Sequence, residues 1–222
     1  DDDASLRAGS DAPANLTLAA AVAARPIPGC RVAFGGQIMA ATRIVKVSTV
    51  ADAAFACPNG DAEPDALPQA DRAALGAQLD ALEQSLSSRS VLAYTPAPAP
   101  AGAHAAVLEA TVEALGGALA GIHLMGFGGG NMPNAALLEP VLAKAQTQGV
   151  LLAAGTQVGA GPVSSAYASG CWLADAGAWP TGTRTPAAVQ TKLALVAALG
   201  RHHGWGRTEM RHAFDGAFAA EA

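Results

Sequence analysis

The chain has 222 residues, a formal net charge of −5 at pH 7 and 51% apolar residues. This length and apolar content suffice to bury a sizeable core, so intrinsic disorder is excluded as the default state. The acidic balance, with no basic run, argues against nucleic acid as a partner. No apolar stretch approaches the roughly 20 residues that a membrane-spanning helix needs, so no membrane partner is expected.

The first 60 residues indicate a helix followed by two strands. A helix is expected over 16–24, with Asn15 as a possible N-cap. Strands are expected over 30–34 and 43–48, where β-branched residues are enriched, with a turn at Gly35–Gly36 between them. This pattern is typical of part of an α/β domain.

A connector separates this region from the rest of the chain. Residues 57–69 are rich in Pro, Asp, Asn and Gly, which is typical of a linker. Leucines then recur at helical spacing among charged residues, and polar residues 85–90 close the connector. The leucines are Leu75, Leu79, Leu82 and Leu86.

The remainder of the chain alternates between strands and helices. Strands are expected over 91–94, 122–125 and 150–153. A helix with one apolar face is expected after each strand. Thr185–Pro186, an N-cap residue followed by proline, indicates the start of one further helix, and the apolar spacing from Met210 indicates a last one. The apolar positions of these helices are Val107, Leu108, Val112 and Leu115; Leu137, Leu138, Val141 and Leu142; Val189, Leu193 and Val196; and Met210, Phe214 and Phe218. Such alternation implies a parallel sheet flanked by helices, with ligands beyond the carboxyl ends of its strands.

The glycine-rich segment 126–131 (GFGGGN) directly follows one of these strands. Its glycines permit a tight turn and a close approach of backbone to a ligand. Asn131 stands where the dinucleotide fingerprint needs a small residue, and no Lys-Ser/Thr follows, so both nucleotide-binding motifs are excluded. A structural turn and a ligand-binding loop both remain open interpretations.

Lys46 lies inside an apolar strand and shares a face with Ile44 and Ser48. A partly buried lysine has a lowered pKa and can serve as a base. The alternative is an edge-strand lysine that prevents aggregation.

The other polar residues carry weaker signals. Residues 10–15 (SDAPAN) are typical of a turn or helix cap. None of the five histidines shows a metal-binding spacing, so no metal site is expected. The three widely spaced cysteines, Cys30, Cys57 and Cys171, do not form a disulfide pattern. We interpret them as small buried apolar residues, which favours a reducing compartment.

Taken together and in order, several segments resemble the bacterial-type L-asparaginase (asparaginase/glutaminase) family. The resemblance extends over roughly residues 5–200 and indicates the C-terminal two-thirds of the family's chain. The matching segments are 10–16, similar to S-x-D-G-x-x-N-L; 31–46 with 52–55, similar to two strands that end at the catalytic lysine; 126–131, similar to G-x-G-x-G-N; 149–163; Tyr167 with Gly170; and Lys192–Leu193.

The resemblance implies an α/β fold in three parts. Residues 1–60 are expected to be the remnant of an N-terminal α/β domain and 61–90 an interdomain linker. Residues 91–222 are expected to form a smaller C-terminal domain with a parallel sheet flanked by helices. The family forms homodimers and homotetramers, so either is expected here. No metal or organic cofactor is implied.

The resemblance also implies an activity and two site residues. The expected reaction is hydrolysis of L-asparagine to L-aspartate and ammonia through an acyl-enzyme, with L-glutamine as the other candidate substrate. Lys46 matches the family's catalytic lysine, which accepts a proton from a threonine nucleophile. Asn131 matches an asparagine that reaches substrate bound in a neighbouring subunit.

The sequence departs from the family in one decisive respect. The T-G-G-T-I and H-G-T-D-T motifs, which supply both threonines and an aspartate, are not present in the 222 residues. Two interpretations follow: a truncated amidohydrolase, or a diverged, non-catalytic relative that serves as a binding or structural subunit. A third, a subunit of a tRNA-dependent amidotransferase, conflicts with the acidic charge. A cytoplasmic location is expected, with the periplasm as the alternative.

Overall fold

A computed structural model describes residues 9–27, 29–51, 53–60, 72–100, 102–133, 135–161, 163 and 168–216. The chain separates into two compact units, residues 1–67 and 68–222. The predicted three-part division at 60 and 90 stays a prediction. Among the helices of the described residues, none has the length and hydropathy to cross a membrane.

The first unit contains one helix and two short antiparallel strand pairs. Helix α1 spans Ala12–Ala23. Strand β1 (Arg31–Phe34) pairs with β2 (Gln37–Ala40), and β3 (Val45–Lys46) pairs with β4 (Phe55–Ala56).

Two local expectations for this unit were wrong. Gly35 and Gly36 both have positive φ, as a two-residue hairpin turn with the twist of its strands requires. The chain therefore returns at once as β2, which the sequence analysis missed, and the strand predicted over 43–48 shortens to β3. Helix α1 begins four residues earlier than expected, with Pro13 in its first turn and Asp11 in the N-cap position, so Asn15 lies within the helix.

The second unit contains a parallel sheet and six helices among its described residues. The strands are β5 (Ser90–Tyr94), β6 (Leu119–Gly126), β7 (Leu151–Thr156) and β8 (Trp179–Pro180). The helices are α2 (Arg72–Ser88), α3 (Ala103–Leu115), α4 (Ala135–Thr147), α5 (Ala168–Asp175), α6 (Pro186–His203) and α7 (Arg207–Asp215), with a single 3-10 turn at Gly116–Ala118.

The four strands are hydrogen-bonded in the order β5-β6-β7-β8, and all neighbours are parallel. This confirms the predicted parallel sheet flanked by helices. Strand β6 is central and almost wholly buried. The carboxyl ends of β5, β6 and β7 therefore lie side by side along one edge.

Each face of the sheet is covered by its own apolar core. Leu108 of α3 and Leu142 of α4 pack with Ile122 and Leu124 of β6 on one face. Val189 and Leu193 of α6 and Phe214 of α7 pack with Leu151 and Ala153 of β7 on the other. Alternate residues of each buried strand point to opposite faces of the sheet. Because both faces are covered, these strands need apolar residues at consecutive positions.

The predicted helix faces are partly confirmed. Val189, Leu193 and Val196 are fully buried. In α3 and α4, however, Val107, Leu115 and Leu137 are substantially exposed, because only the central stripe of each helix reaches the sheet. Strand β8 and helix α5 were not predicted.

Other expectations for this unit differ in extent or fall outside the described residues. Ser85 to Ser88 belong to α2 rather than to a polar end of the connector. The side chain of Leu75, most of the 57–69 linker, Tyr167 and Phe218 lie outside the described part of the chain.

Candidate functional site at the carboxyl edge of the sheet

Three parallel strands of the second unit end next to one another, at Tyr94, Gly126 and Thr156. Side chains and loops that follow the carboxyl ends of such strands form the usual ligand-binding edge of an α/β sheet. The loop 127–133 follows the central strand and contains Asn131. This edge is therefore the candidate site of the second unit.

The loop that carries Asn131 is a tight hydrogen-bonded hairpin. The Phe127 N–H donates to the Asn131 carbonyl over 2.7 Å, and the Asn131 N–H donates back to the Phe127 carbonyl over 2.8 Å. Gly128 and Gly130 have φ of 50° and 111°, which other residues rarely adopt. Structural turn and ligand loop are thus compatible interpretations, because the turn fixes the position of Asn131.

Two neighbours anchor this hairpin to the sheet. The Thr156 hydroxyl at the end of β7 donates to the Gly128 carbonyl, and the Gln157 N–H donates to the Gly126 carbonyl over 3.0 Å. A Cβ atom at Gly126 would lie 2.6 Å from backbone atoms of Gly130 and Asn131. Gly126 is therefore required for the hairpin to fold back against the strand.

A hydrogen-bonded Tyr94–His104 pair lies at the same edge, and sequence reasoning missed it. The Tyr94 hydroxyl is 2.5 Å from the His104 Nδ1 atom, and His104 is buried at the start of α3. Burial raises the pKa of Tyr94. In the sequence, Tyr94 ends a predicted strand and His104 lies near the start of the next helix. No rule of sequence spacing predicts a hydrogen bond between two such residues.

His123 of β6 is buried beneath this edge. Its side chain is 2% exposed, and neither ring nitrogen has a hydrogen-bond partner among the described residues. It lies close to Gly155 and Thr181, since a Cβ added at Gly155 would approach both side chains. Burial lowers the pKa of His123 to about 4, so the imidazole is neutral near pH 7.

Lys46 lies in the first unit, on β3, opposite Phe55 of β4. Its side chain is exposed, which agrees with the edge-strand interpretation and not with that of a partly buried lysine. Its Nζ atom lies 5.9 Å from the centroid of the Phe55 ring, within the range of a cation–π interaction. Lys46 belongs to the first unit and Asn131 to the second.

The segment 10–15 has a local structural role, as the turn-or-cap interpretation predicted. The Ser10 hydroxyl accepts from the Ala12 N–H over 3.3 Å. The Asn15 amide nitrogen donates to Asp11, and its Oδ1 atom accepts from the Gly35 N–H, both over 2.9 Å. Asn15 therefore links α1 to the β1–β2 turn rather than capping the helix.

The three cysteines were expected to be buried, and this expectation was wrong. Cys30 is exposed, and Cys57 and Cys171 are partly exposed.

The fold and the loop arrangement define the class: an α/β protein with a glycine hairpin at the ligand-binding edge of a parallel sheet. Two family models identify it further. The asparaginase N-terminal model matches residues 4–64, and the glutaminase/asparaginase C-terminal domain model matches residues 98–214. The chain belongs to the glutaminase/asparaginase family.

Solved structures agree with this assignment. The thermostable L-asparaginase from Thermococcus kodakarensis is 26% identical with a TM-score of 0.70, and the match covers 97% of this chain and 64% of that chain. L-asparaginase I from Vibrio cholerae is 25% identical with a TM-score of 0.68, and the match covers 98% and 64%. This chain thus spans 64% of the length of either enzyme.

A third structure supports the fold alone. The probable cytoplasmic L-asparaginase from Campylobacter jejuni is 17% identical with a TM-score of 0.64, and the match covers 96% of this chain and 68% of that chain. A comparison with curated protein sequences gives no significant match.

Proposed function

We propose that this chain takes part in hydrolysis of L-asparagine to L-aspartate and ammonia, through a threonine nucleophile that is not among its 222 residues. The observation that carries the proposal is the presence of both family domains in order, with Lys46 inside the first match and Asn131 inside the second. The hairpin that fixes Asn131 at the ligand-binding edge supports it further.

In the proposed reaction, Lys46 is the general base. Its Nζ atom takes the proton of the threonine hydroxyl as the oxygen attacks the side-chain amide carbon of asparagine. The C–N bond then breaks, and the nitrogen leaves as ammonia after taking up a proton. Water hydrolyses the resulting acyl ester and releases aspartate. A base of this kind typically contributes a factor of about 10²–10⁴ to the rate.

Asn131 is proposed to bind the substrate. Its backbone is held on both sides by the Phe127 hydrogen bonds, so its amide group is presented from a fixed loop. An amide offers both a donor and an acceptor, which suits the amino and carboxylate groups of an amino-acid substrate. The proposal includes a homodimer or homotetramer in which Asn131 reaches substrate in a neighbouring subunit, and L-glutamine as the other candidate substrate.

A non-catalytic binding or structural subunit is the second candidate. The observation that favours it is the exposure of the side chain of Lys46, the proposed base. For either candidate we propose a cytoplasmic location, which the wide, odd-numbered spacing of the three cysteines supports.

A hybrid protein separates the two candidates. The chain is fused behind an N-terminal segment, taken from an active member of the family, that carries both threonine motifs, and ammonia release is measured with L-asparagine and L-glutamine. A matched hybrid with both motif threonines changed to alanine is the control, and circular dichroism establishes folding. Release that requires the threonines supports the amidohydrolase. A folded hybrid that binds asparagine without releasing ammonia supports the binding subunit.

A further inference from the structure

An open cavity of about 390 Å³ lies in the second unit at the end of the sheet opposite the candidate site. Leu151 and Gly149, where β7 begins, form part of its wall, and the last turn of α6 forms another part. Arg89, Arg201 and Trp205 also line it. Its volume lies within the range of small-molecule sites.

Arg89 is held in place by the backbone. Its Nε atom donates to the Gly117 carbonyl over 3.0 Å, and one terminal nitrogen donates to the Leu119 carbonyl over 2.9 Å. The other terminal nitrogen has no hydrogen-bond partner among the described residues. A guanidinium fixed in this way presents a donor without losing further side-chain entropy.

Arg201 adds a second positive charge to the same cavity. The pKa of Arg89 is lowered by burial and, to a smaller extent, by the charge of Arg201. No carboxylate lines the cavity among the described residues, and the acidic residues of the adjacent helix α2, Asp80 and Glu83, form no ion pair with either arginine. The two cations therefore repel each other without a compensating anion from the described part of the chain.

We propose that this cavity binds the phosphate group of a small phosphorylated molecule between Arg89 and Arg201. Guanidinium groups bind oxyanions through paired N–H donors, and these charge-assisted hydrogen bonds are among the strongest in proteins. A phosphate group near pH 7 carries close to two negative charges, which matches two cations better than a single carboxylate does. Gln148 is a further polar group in the lining.

The rest of the cavity indicates the rest of the ligand. A phosphate ion alone fills only part of the volume. Trp205 and Met210 supply partly exposed apolar surface, and the Trp205 ring is stacked on His203, with the ring centroids 5.1 Å apart. An organic body attached to the phosphate would pack against this surface. The proposal does not depend on the proposed amidohydrolase activity.

Calorimetric titration of the full chain tests this proposal, with inorganic phosphate and adenosine monophosphate as probes and L-aspartate as the carboxylate comparison. Arg201→Met is the main variant, because Arg201 is exposed and has no hydrogen bond to the described residues. Arg25→Met, an exposed arginine in the first unit, is the control of equal charge change. Arg89→Met is a second variant that also removes a backbone anchor.

Phosphate is expected to bind the unchanged chain and the Arg25→Met control equally. Loss of one charge-assisted contact in Arg201→Met is expected to weaken that binding by about tenfold or more. Tighter binding of adenosine monophosphate than of phosphate identifies a larger phosphorylated ligand, and equal binding identifies phosphate itself. Absence of phosphate binding, equal binding of aspartate, or binding unaffected by Arg201→Met overturns the proposal, and Arg201 then serves only the C-terminal end of α6.

Discussion

The position of Asn131 in its loop is fixed by hydrogen bonds of its backbone. Both its N–H and its carbonyl are bonded to Phe127. Replacing the side chain therefore leaves these bonds intact. In the hybrid protein, Asn131→Ala is expected to lower kcat/KM for asparagine by about 10- to 100-fold, the loss of one or two polar contacts to substrate. Steady-state kinetics of ammonia release measure this.

Gln157 offers the matched control for that prediction. It is exposed in the neighbouring loop, and its backbone N–H, not its side chain, bonds to Gly126. Gln157→Ala should leave kcat/KM unchanged. Equal losses in both variants would show that Asn131 has no particular role in binding.

The buried His123 makes stability depend on pH. In the folded protein its pKa is lowered to about 4, whereas the unfolded chain titrates near 6.5. Between pH 6.5 and pH 4 the unfolded state binds a proton at His123, whereas the folded state does not. Stability is therefore fully present above pH 6.5 and is lost as the pH falls, by about 3 kcal/mol in total once the pH reaches about 4.

Urea unfolding of His123→Leu checks this dependence. The stability difference between the unchanged chain and His123→Leu is expected to shift by about 3 kcal/mol between pH 7 and pH 4, because other titrations cancel in the difference. The exposed His212, changed to leucine, is the control and should show a much smaller shift. Parallel pH profiles for the unchanged chain and His123→Leu would contradict the account.

The states of individual polar residues were the least predictable feature. The sequence analysis found no role for His104 or His123, yet His104 is bonded to Tyr94, and His123 is buried with no hydrogen-bond partner among the described residues. Both states depend on neighbours that are distant in sequence, such as Gly155 beside His123. The exposure of Lys46 was left open for a related reason: alternation in a strand does not reveal what packs on either face.

At the scale of elements, the glycine hairpin after β6 depends on the absence of one side chain. Gly126→Ala places a Cβ atom 2.6 Å from backbone that cannot move independently of the turn. We expect a loss of about 1–3 kcal/mol in the free energy of unfolding, as for overpacking against rigid neighbours. Urea unfolding measures it.

Gly159→Ala is the control for this substitution. Gly159 lies in the neighbouring loop, its φ is not positive, and an added Cβ meets nothing within 4 Å. Its stability should change by less than about 1 kcal/mol. If Gly126→Ala is as well tolerated as Gly159→Ala, the hairpin does not depend on the close approach.

The start of α6 depends on a side-chain cap. The Thr185 hydroxyl accepts from the Ala188 N–H over 3.4 Å, and Thr185 is buried. Thr185→Ala is expected to cost about 1 kcal/mol of stability. Thr111→Ala, at an exposed position inside α3, is the control and should be close to neutral. Thermal unfolding that fails to separate the two variants would show that this cap is without effect.

Elements with a strong local signal were predictable, and those that depend on tertiary structure were not. Thr185–Pro186 combines a cap with a proline and was placed correctly. Strand β8 is two residues long and is defined by its pairing with Ala153 and Ala154, which no local pattern encodes. The Gly35–Gly36 turn was foreseen, but its two positive φ angles, which force an immediate hairpin, were not.

At the scale of the whole molecule, the two units differ in their apolar cores. Among the described residues of the first unit, only Val22, Met39, Ala40 and Ala54 are buried apolar residues, whereas both core clusters lie in the second. We expect limited proteolysis to cut within residues 1–60 first and to leave a fragment containing 91–216, because local opening is easiest where few apolar contacts are lost. Early cleavage within 91–216, with residues 1–60 spared, would contradict this.

In the reaction proposed above, both units contribute a residue, Lys46 from the first and Asn131 from the second. The most direct test is the rate of ammonia release from L-asparagine by the hybrid protein with and without Lys46→Met. Lys144→Met, which removes an exposed lysine paired with Glu113, is the matched control. We predict turnover in the hybrid and in the control, and a loss of about 10²- to 10⁴-fold in Lys46→Met. A folded hybrid without turnover, or one in which Lys46→Met is as active as Lys144→Met, would contradict the account.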